Sequence, residues 1–142
     1  LGWIAGPSEV MEGVKTCQAS SASHVPTFLM GAAAVALDCE KERKSFYESF
    51  AERRDVFHAL LQDIPGIIAP KPEGAFYILV DITGTGMDDI EFATRALDEA
   101  NVQLVPGSLM PGGEGLVRMS YGTNVDQIRE GCKRLKDWLQ GL

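Results

Sequence analysis

The spacing of apolar residues changes character near residue 66. Before it, residues 25–64 follow a helical rhythm in which Phe46, Phe50, Phe57, Leu61 and Ile64 fall near one stripe while the charges lie elsewhere. Pro26 suits a helix N-terminus, and Ala32, Ala33, Ala34 and Ala36 permit close helix packing. The pattern predicts one long amphipathic helix, broken near Asp38 and Cys39 and ended by Pro65 and Gly66. A short helix is expected after Pro7, with Glu9 at the positive end of its dipole, and SSASH at 20–24 reads as a polar loop.

After residue 66 the signals are mixed. GIIAP carries a β signal, and GAFYILVDI is so continuously apolar that it predicts a strand covered on both faces. Asp88 and Glu91 make a capping-box pattern before a helix whose stripe is Ile90, Ala93, Leu97 and Ala100. VQLVPG is expected as a strand closed by a Pro-Gly turn, and MPGGEG as a loop. In GLVRMSYG the strand alternation places Val117, Met119 and Tyr121 on one face and Leu116, Arg118 and Ser120 on the other. The last helix starts near Asn124, with Gln127 three residues on, and carries the stripe Val125, Ile128, Cys132, Leu135 and Leu139. Strand pairs separated by helices predict an α+β layer.

Composition narrows the partners. The 142 residues are 45% hydrophobic and 23% charged, which suits a globular core. A net charge of -7 offers no basic stripe to nucleic acid or to an anionic membrane surface, so neither is expected as a partner. No apolar run approaches the roughly 18 residues of a membrane span, and no charged segment precedes an apolar one at the start. Cys17, Cys39 and Cys132 are odd in number and far apart, so neither a disulfide framework nor a metal site is expected, and a reducing cytoplasm fits. The chain opens at Leu1 on LGWIAGP, an apolar stretch resembling the interior of a fold, so a fragment is expected.

Most candidate chemistry reduces to structure. GTGMDD and PGGEG lack the pattern of a phosphate-cradling loop and read as turns. His24 and His58 stand alone, and Ser20, Ser21 and Ser23 lack a nucleophile-elbow setting. Lys15, Lys41, Lys44, Lys133 and Lys136 lie on polar helical stretches and Lys71 in the PKPEG loop; none has the desolvated setting of a carbonyl-binding lysine, so no catalytic residue is assigned in this chain. Arg118 differs. Its guanidinium keeps its charge and is costly to bury unpaired, so it must reach water, a protein carboxylate or an anionic ligand.

The segments LGWIAGP, HVPTFLMGAAAVAL, PKPEGAFYILVDI, VQLVPGSLMPGGEGLVRMSYG and IREGCKRLKDWL follow one another as in the C-terminal part of class I and II aminotransferases. The chain resembles these fold-type I, pyridoxal-phosphate-dependent enzymes, typified by aspartate aminotransferase, over nearly its whole length. The most specific piece is Val-Pro-Gly at 105–107 followed by Arg-x-Ser at 118–120. The resemblance implies that residues 1–45 are the C-terminal end of the large cofactor domain and the start of the connecting helices. Residues 46–142 would be the small C-terminal domain, an antiparallel-rich sheet packed against helices and preceded by a long connecting helix, α+β within an enzyme that is α/β overall.

It further implies that Arg118 binds the substrate α-carboxylate in a bidentate bridge, and that Phe76 and Tyr77 line the substrate entrance, although two aromatics in a strand are more often core. The full-length protein would be a cytoplasmic homodimer that moves an amino group between an amino acid and a 2-oxo acid through pyridoxal 5'-phosphate. In the family, a Ser-x-x-Lys and a phosphate-binding arginine come just before the stretch matched by LGW, and the residues pairing with the cofactor ring come earlier still. The chain by itself is therefore expected to be inactive, with no cofactor-binding residue of its own. His24 and Val25 depart from the family's Ser-Asn-Pro, and Leu109, Met110 and Pro111 stand where relatives often show Phe-Gly. Two alternatives stay open. One is another fold-type I enzyme, a carbon-sulfur lyase or an acyl-transferring synthase, because a carboxylate-binding arginine does not specify which bond at Cα breaks. The other is a non-catalytic α+β module that binds a carboxylate or a protein through Arg118.

Overall fold

Proline sets the helix starts in the first of two units into which the chain divides, Leu1–Ser45 and Phe46–Leu142. The computed structural model describes residues 1–142. Helix α1 (Ser8–Ser21) follows Pro7, whose φ of -56° suits that position, and α2 (Thr27–Asp38) follows Pro26 in the same way. Neither helix buries a residue. The helical run breaks at Cys39 and resumes as α3 (Glu40–Gln62), with Glu40 and Glu42 favourably placed in its first turn.

The second unit is built on a three-stranded antiparallel sheet, β1 (Tyr77–Asp81), β2 (Val105–Pro106) and β3 (Leu116–Ser120), in the order β1-β3-β2. The register sets Leu79 opposite Arg118 and Val80 opposite Val117 on one side, and Val105 opposite Arg118 on the other. Alternation then sends Ile78, Val80, Val117 and Met119 into the core, against Phe57 and Leu61 of α3. Phe92 and Ala96 of α4 (Asp89–Ala100) and Ile128, Cys132 and Leu135 of α5 (Val125–Gln140) complete it. Both helices are capped where the sequence pattern places the caps. Asp88 accepts the Glu91 N–H at 2.7 Å and Asn124 accepts the Gln127 N–H at 2.9 Å, each satisfying a donor that the helix itself leaves free.

Several expectations change. The strand in GAFYILVDI is covered on one face only: Ile78 and Val80 are 2% and 0% exposed, but Tyr77 and Leu79 are 37% and 39%. Helices of this chain pack against the first pair, and nothing in the unit covers the second. GIIAP yields an isolated bridge between Ile68 and Asp81 rather than a strand, because Pro70 and Pro72 cannot extend a ladder. The buried stripe of α4 is rotated, with Ile90 and Leu97 exposed and Phe92, Ala93, Ala96 and Ala100 buried. Both stripes share Ala93 and Ala100, so spacing alone does not choose between them; packing does. Phe46 likewise lies exposed at the start of the α3 stripe. No helix is long and apolar enough to cross a membrane.

Candidate functional site

Arg118 sits at the middle of the central strand β3, on the face turned away from the core. Leu79 and Val105 flank it in register, and Leu116 and Ser120 lie two residues away along the same face. Its guanidinium carbon is 5.3 Å from the centre of the Tyr77 ring, within cation–π range. No carboxylate of the chain bridges to the guanidinium. Arg43, Arg54, Arg95 and Arg134 pair with Glu40, with Asp55, with Glu91 and Glu99, and with Glu130 respectively, whereas Arg53, over the Phe50 ring, and Arg129 have no carboxylate bridge either but lie on helices α3 and α5 and not in the sheet. Of the three destinations open to the Arg118 charge, an internal carboxylate is thereby removed. A half-buried fork of five donors remains for water or an external anion.

Phe76 and Tyr77 fall beside it. Their rings meet edge-on, 5.5 Å apart and at 84°, so that Tyr77 links Phe76 to the Arg118 guanidinium. Both are substantially exposed rather than core, at 53% and 37%. The backbone leading to them is unusual: Ala75 has φ of 61°, a left-handed conformation that costs a residue with a Cβ. Tyr121 holds it there. Its hydroxyl donates to the Ala75 carbonyl at 2.9 Å and its N–H donates to the Phe76 carbonyl at 2.9 Å. Burial pushes the Tyr121 phenol up in pKa, against a smaller opposing pull from the Arg54 charge. Sequence reasoning placed Tyr121 in the core but missed this role; the available signal was a hydroxyl at a buried position, which must find a partner.

A second anchor was also missed. Asp89, at the first turn of α4, is the buried charged residue of the unit, 5% exposed, and accepts the Ser108 N–H at 2.8 Å. Hydrogen bonds from Ser108 hold its carboxyl below the usual carboxylate range, against the opposing effect of burial. The connection between β2 and β3 is closed on itself as well: a Cβ on Gly107 would stand 2.0 Å from the Gly113 carbonyl oxygen.

The remaining candidates stay structural. Lys15 pairs with Glu12 at 2.9 Å, Lys71 with Asp55 at 3.0 Å and Lys133 with Asp137 at 2.8 Å. The Asp137 bond raises the Lys133 pKa, the opposite of what a carbonyl-binding amine needs. Lys41 and Lys44 are exposed on α3, and Lys136 lies half-buried on α5. These amines do not fit the aldehyde of pyridoxal phosphate. His58 meets Gln62, which also donates to the Ala69 carbonyl at 2.9 Å, while His24 is exposed in its loop. Burial pushes the Cys132 thiol up to about 12. A cavity of 440 Å³ in the second unit is lined by Phe57, Leu61, Leu104, Met119 and Ile128 among others, and Arg118 is not part of its wall. The charge that needs a partner therefore lies on the open face of the sheet, outside that cavity.

The family described as aminotransferase class I and II matches residues 1–135. The chain is 34% identical to an aspartate aminotransferase of Pyrococcus horikoshii over 99% of this chain and 37% of that protein. It is 37% identical to an aspartate aminotransferase of Pyrococcus abyssi, again over 99% of this chain and 37% of that protein. Among solved structures it is similar to the aromatic aminotransferase from Pyrococcus horikoshii, with a TM-score of 0.87 and 35% identity over 96% of this chain and 37% of that one. The aspartate aminotransferase from Rhizobium meliloti gives a TM-score of 0.85 and 29% identity over 95% of this chain and 36% of that one. The chain thus spans 37% of the length of the first curated relatives it matches.

Proposed function

This chain belongs to the class I and II aminotransferases, and from that membership we propose that it is the part of a pyridoxal-5'-phosphate-dependent aminotransferase that grips the substrate α-carboxylate, through Arg118. The observation that carries the proposal is a half-buried guanidinium on the central strand with no internal counter-ion. A carboxylate matches the two parallel N–H donors of an arginine, which fixes the orientation of the bound acid as well as its position. Leu79, Val105 and Leu116 give the fork an apolar setting, in which the pair is less screened than in water. The Tyr77 ring restricts the guanidinium before substrate arrives, so less freedom is lost on binding.

Amino acids and 2-oxo acids share this carboxylate, so one site serves both partners of an amino-group transfer. The lysines of this chain do not fit the cofactor, and no step of its chemistry passes through them. We assign residues 1–45 to the end of the large domain, 46–142 to the small domain, and the complete protein to a cytoplasmic homodimer; the chain alone is inactive in this reading. Phe76 and Tyr77 line the approach to Arg118.

The test is steady-state kinetics of the complete protein carrying Arg118→Ala. Losing one partner of a hydrogen-bonded charge pair costs roughly 2–4 kcal/mol, so kcat/KM for both the amino donor and the 2-oxo acid should fall by about 30- to 1,000-fold. Unchanged kcat/KM removes Arg118 from the site. Arg118-dependent carboxylate binding with no amino transfer would favour a non-catalytic module, and release of a 2-oxo acid without an acceptor would favour a lyase.

A further inference from the structure

We propose that Asp89 is a positioning residue for Arg118: by clasping the connection between β2 and β3, its carboxylate sets where the guanidinium meets the substrate. This rests on the reading of Arg118 as the carboxylate anchor. The need for a clasp comes from β2 itself. That strand is two residues long, pairing Val105 with Arg118 and Pro106 with Val117. So short an edge is weakly held by the sheet alone, yet Val105 forms one wall beside the guanidinium. The chain turns directly after Pro106 into Gly107–Leu109, and there Asp89 takes the Ser108 N–H at 2.8 Å.

A charged acceptor makes that bond stronger than a neutral one would be. Burial of the carboxylate would be costly, but the N-terminal turn of α4 supplies the positive end of a helix dipole to offset it. One side chain on α4 therefore holds the start of the 107–115 segment, and the close approach of the Gly107 and Gly113 backbones closes that segment on itself. Without the clasp, Val105 is free to leave the flank of Arg118.

The experiment compares the complete protein as wild type, Asp89→Asn, Asp89→Ala, Arg118→Ala and the Asp89→Ala/Arg118→Ala double variant. KM and kcat are measured for the preferred amino donor, and calorimetry without the donor gives Kd for the preferred 2-oxo acid. Asp89→Ala should raise KM and Kd about 5- to 20-fold with less than about a threefold change in kcat, the size of a coupling between interacting residues. Asp89→Asn keeps one acceptor oxygen and should fall between, and it serves where Asp89→Ala folds poorly. In the Arg118→Ala background Asp89→Ala should add nothing to Kd, because a missing guanidinium cannot be misplaced. Unchanged Kd in both Asp89 variants, or effects of the two substitutions that multiply, would overturn the inference while leaving Arg118 as the anchor. If Arg118→Ala itself leaves Kd unchanged, the anchor reading fails first, and this inference with it.

Discussion

The hydroxyl of Tyr121 donates to the carbonyl of Ala75 at 2.9 Å, holding a left-handed residue in place just before the two aromatics beside Arg118. Tyr121 follows directly on β3 and Ala75 leads into β1, so the bond closes the end of the β1–β3 ladder that the backbone bond from Tyr121 to Phe76 also ties.

Removing that hydroxyl should therefore loosen the approach to the site. Tyr121→Phe leaves the Ala75 carbonyl without its donor and should cost about 1–2 kcal/mol in urea unfolding, with amide exchange rising at Phe76 and Tyr77. An unaltered midpoint would show that the bond contributes nothing.

Gly107 is predicted to tolerate no side chain. A methyl at 2.0 Å from the Gly113 carbonyl oxygen and 2.5 Å from that of Leu116 meets backbone on two sides, which cannot move aside cheaply. Gly107→Ala should destabilise by roughly 2 kcal/mol or more, seen as a lowered Tm, whereas Gly131→Ala on α5 has open space around it and should be neutral or stabilising.

The ring of Tyr77 should matter through its face and not its hydroxyl. Tyr77→Phe should leave KM for carboxylate substrates near the wild-type value, while Tyr77→Leu should raise it by about 2- to 5-fold, as expected for loss of roughly 0.5–1 kcal/mol of cation–π contact. Equal effects of the two substitutions would point to the hydroxyl instead.

Acid sensitivity should arise from Asp55, Asp81, Asp89 and Glu99, each held below its ordinary range by hydrogen bonds. Arg54, then Lys71, lower Asp55 from 3.8 to about 2, and hydrogen bonds from Ser108 lower Asp89. A carboxyl depressed in the folded state stabilises above its unfolded pKa and loses that contribution as pH falls through the folded value. Stability should thus drop between pH 3.8 and about 2 for Asp55, a window set by the same two values. Carbon-detected NMR titration should find the Asp55 midpoint at about 2 and move it upward in Lys71→Ala, though not to the ordinary value while Arg54 remains. A midpoint unmoved by Lys71→Ala would show that Lys71 does not act on it.

Local signals were legible in the sequence and distant ones were not. The caps at Asp88 and Asn124, the break at Cys39 and the alternation through Val117, Arg118 and Met119 depend on neighbours within a few residues. Family resemblance singled out Arg118, and strand alternation placed it opposite the core. The anchors at Asp89 and Tyr121 join residues 19 and 46 positions apart, and no periodicity encodes such pairs. The exposed face of β1 departs from its apolar pattern for a related reason: Tyr77 and Leu79 have the character of covered positions, but their spacing carries no information on what packs over them.

Pro106 has a consequence for the sheet as a whole. With β2 at the end of the order β1-β3-β2, its outer side is a free margin where a strand from another molecule could add on. Two residues, one of them unable to donate, give such a strand almost nothing to grip. Replacing Pro106 with valine would restore an N–H donor to that margin, so the proline takes one backbone grip away from the sheet's exposed edge.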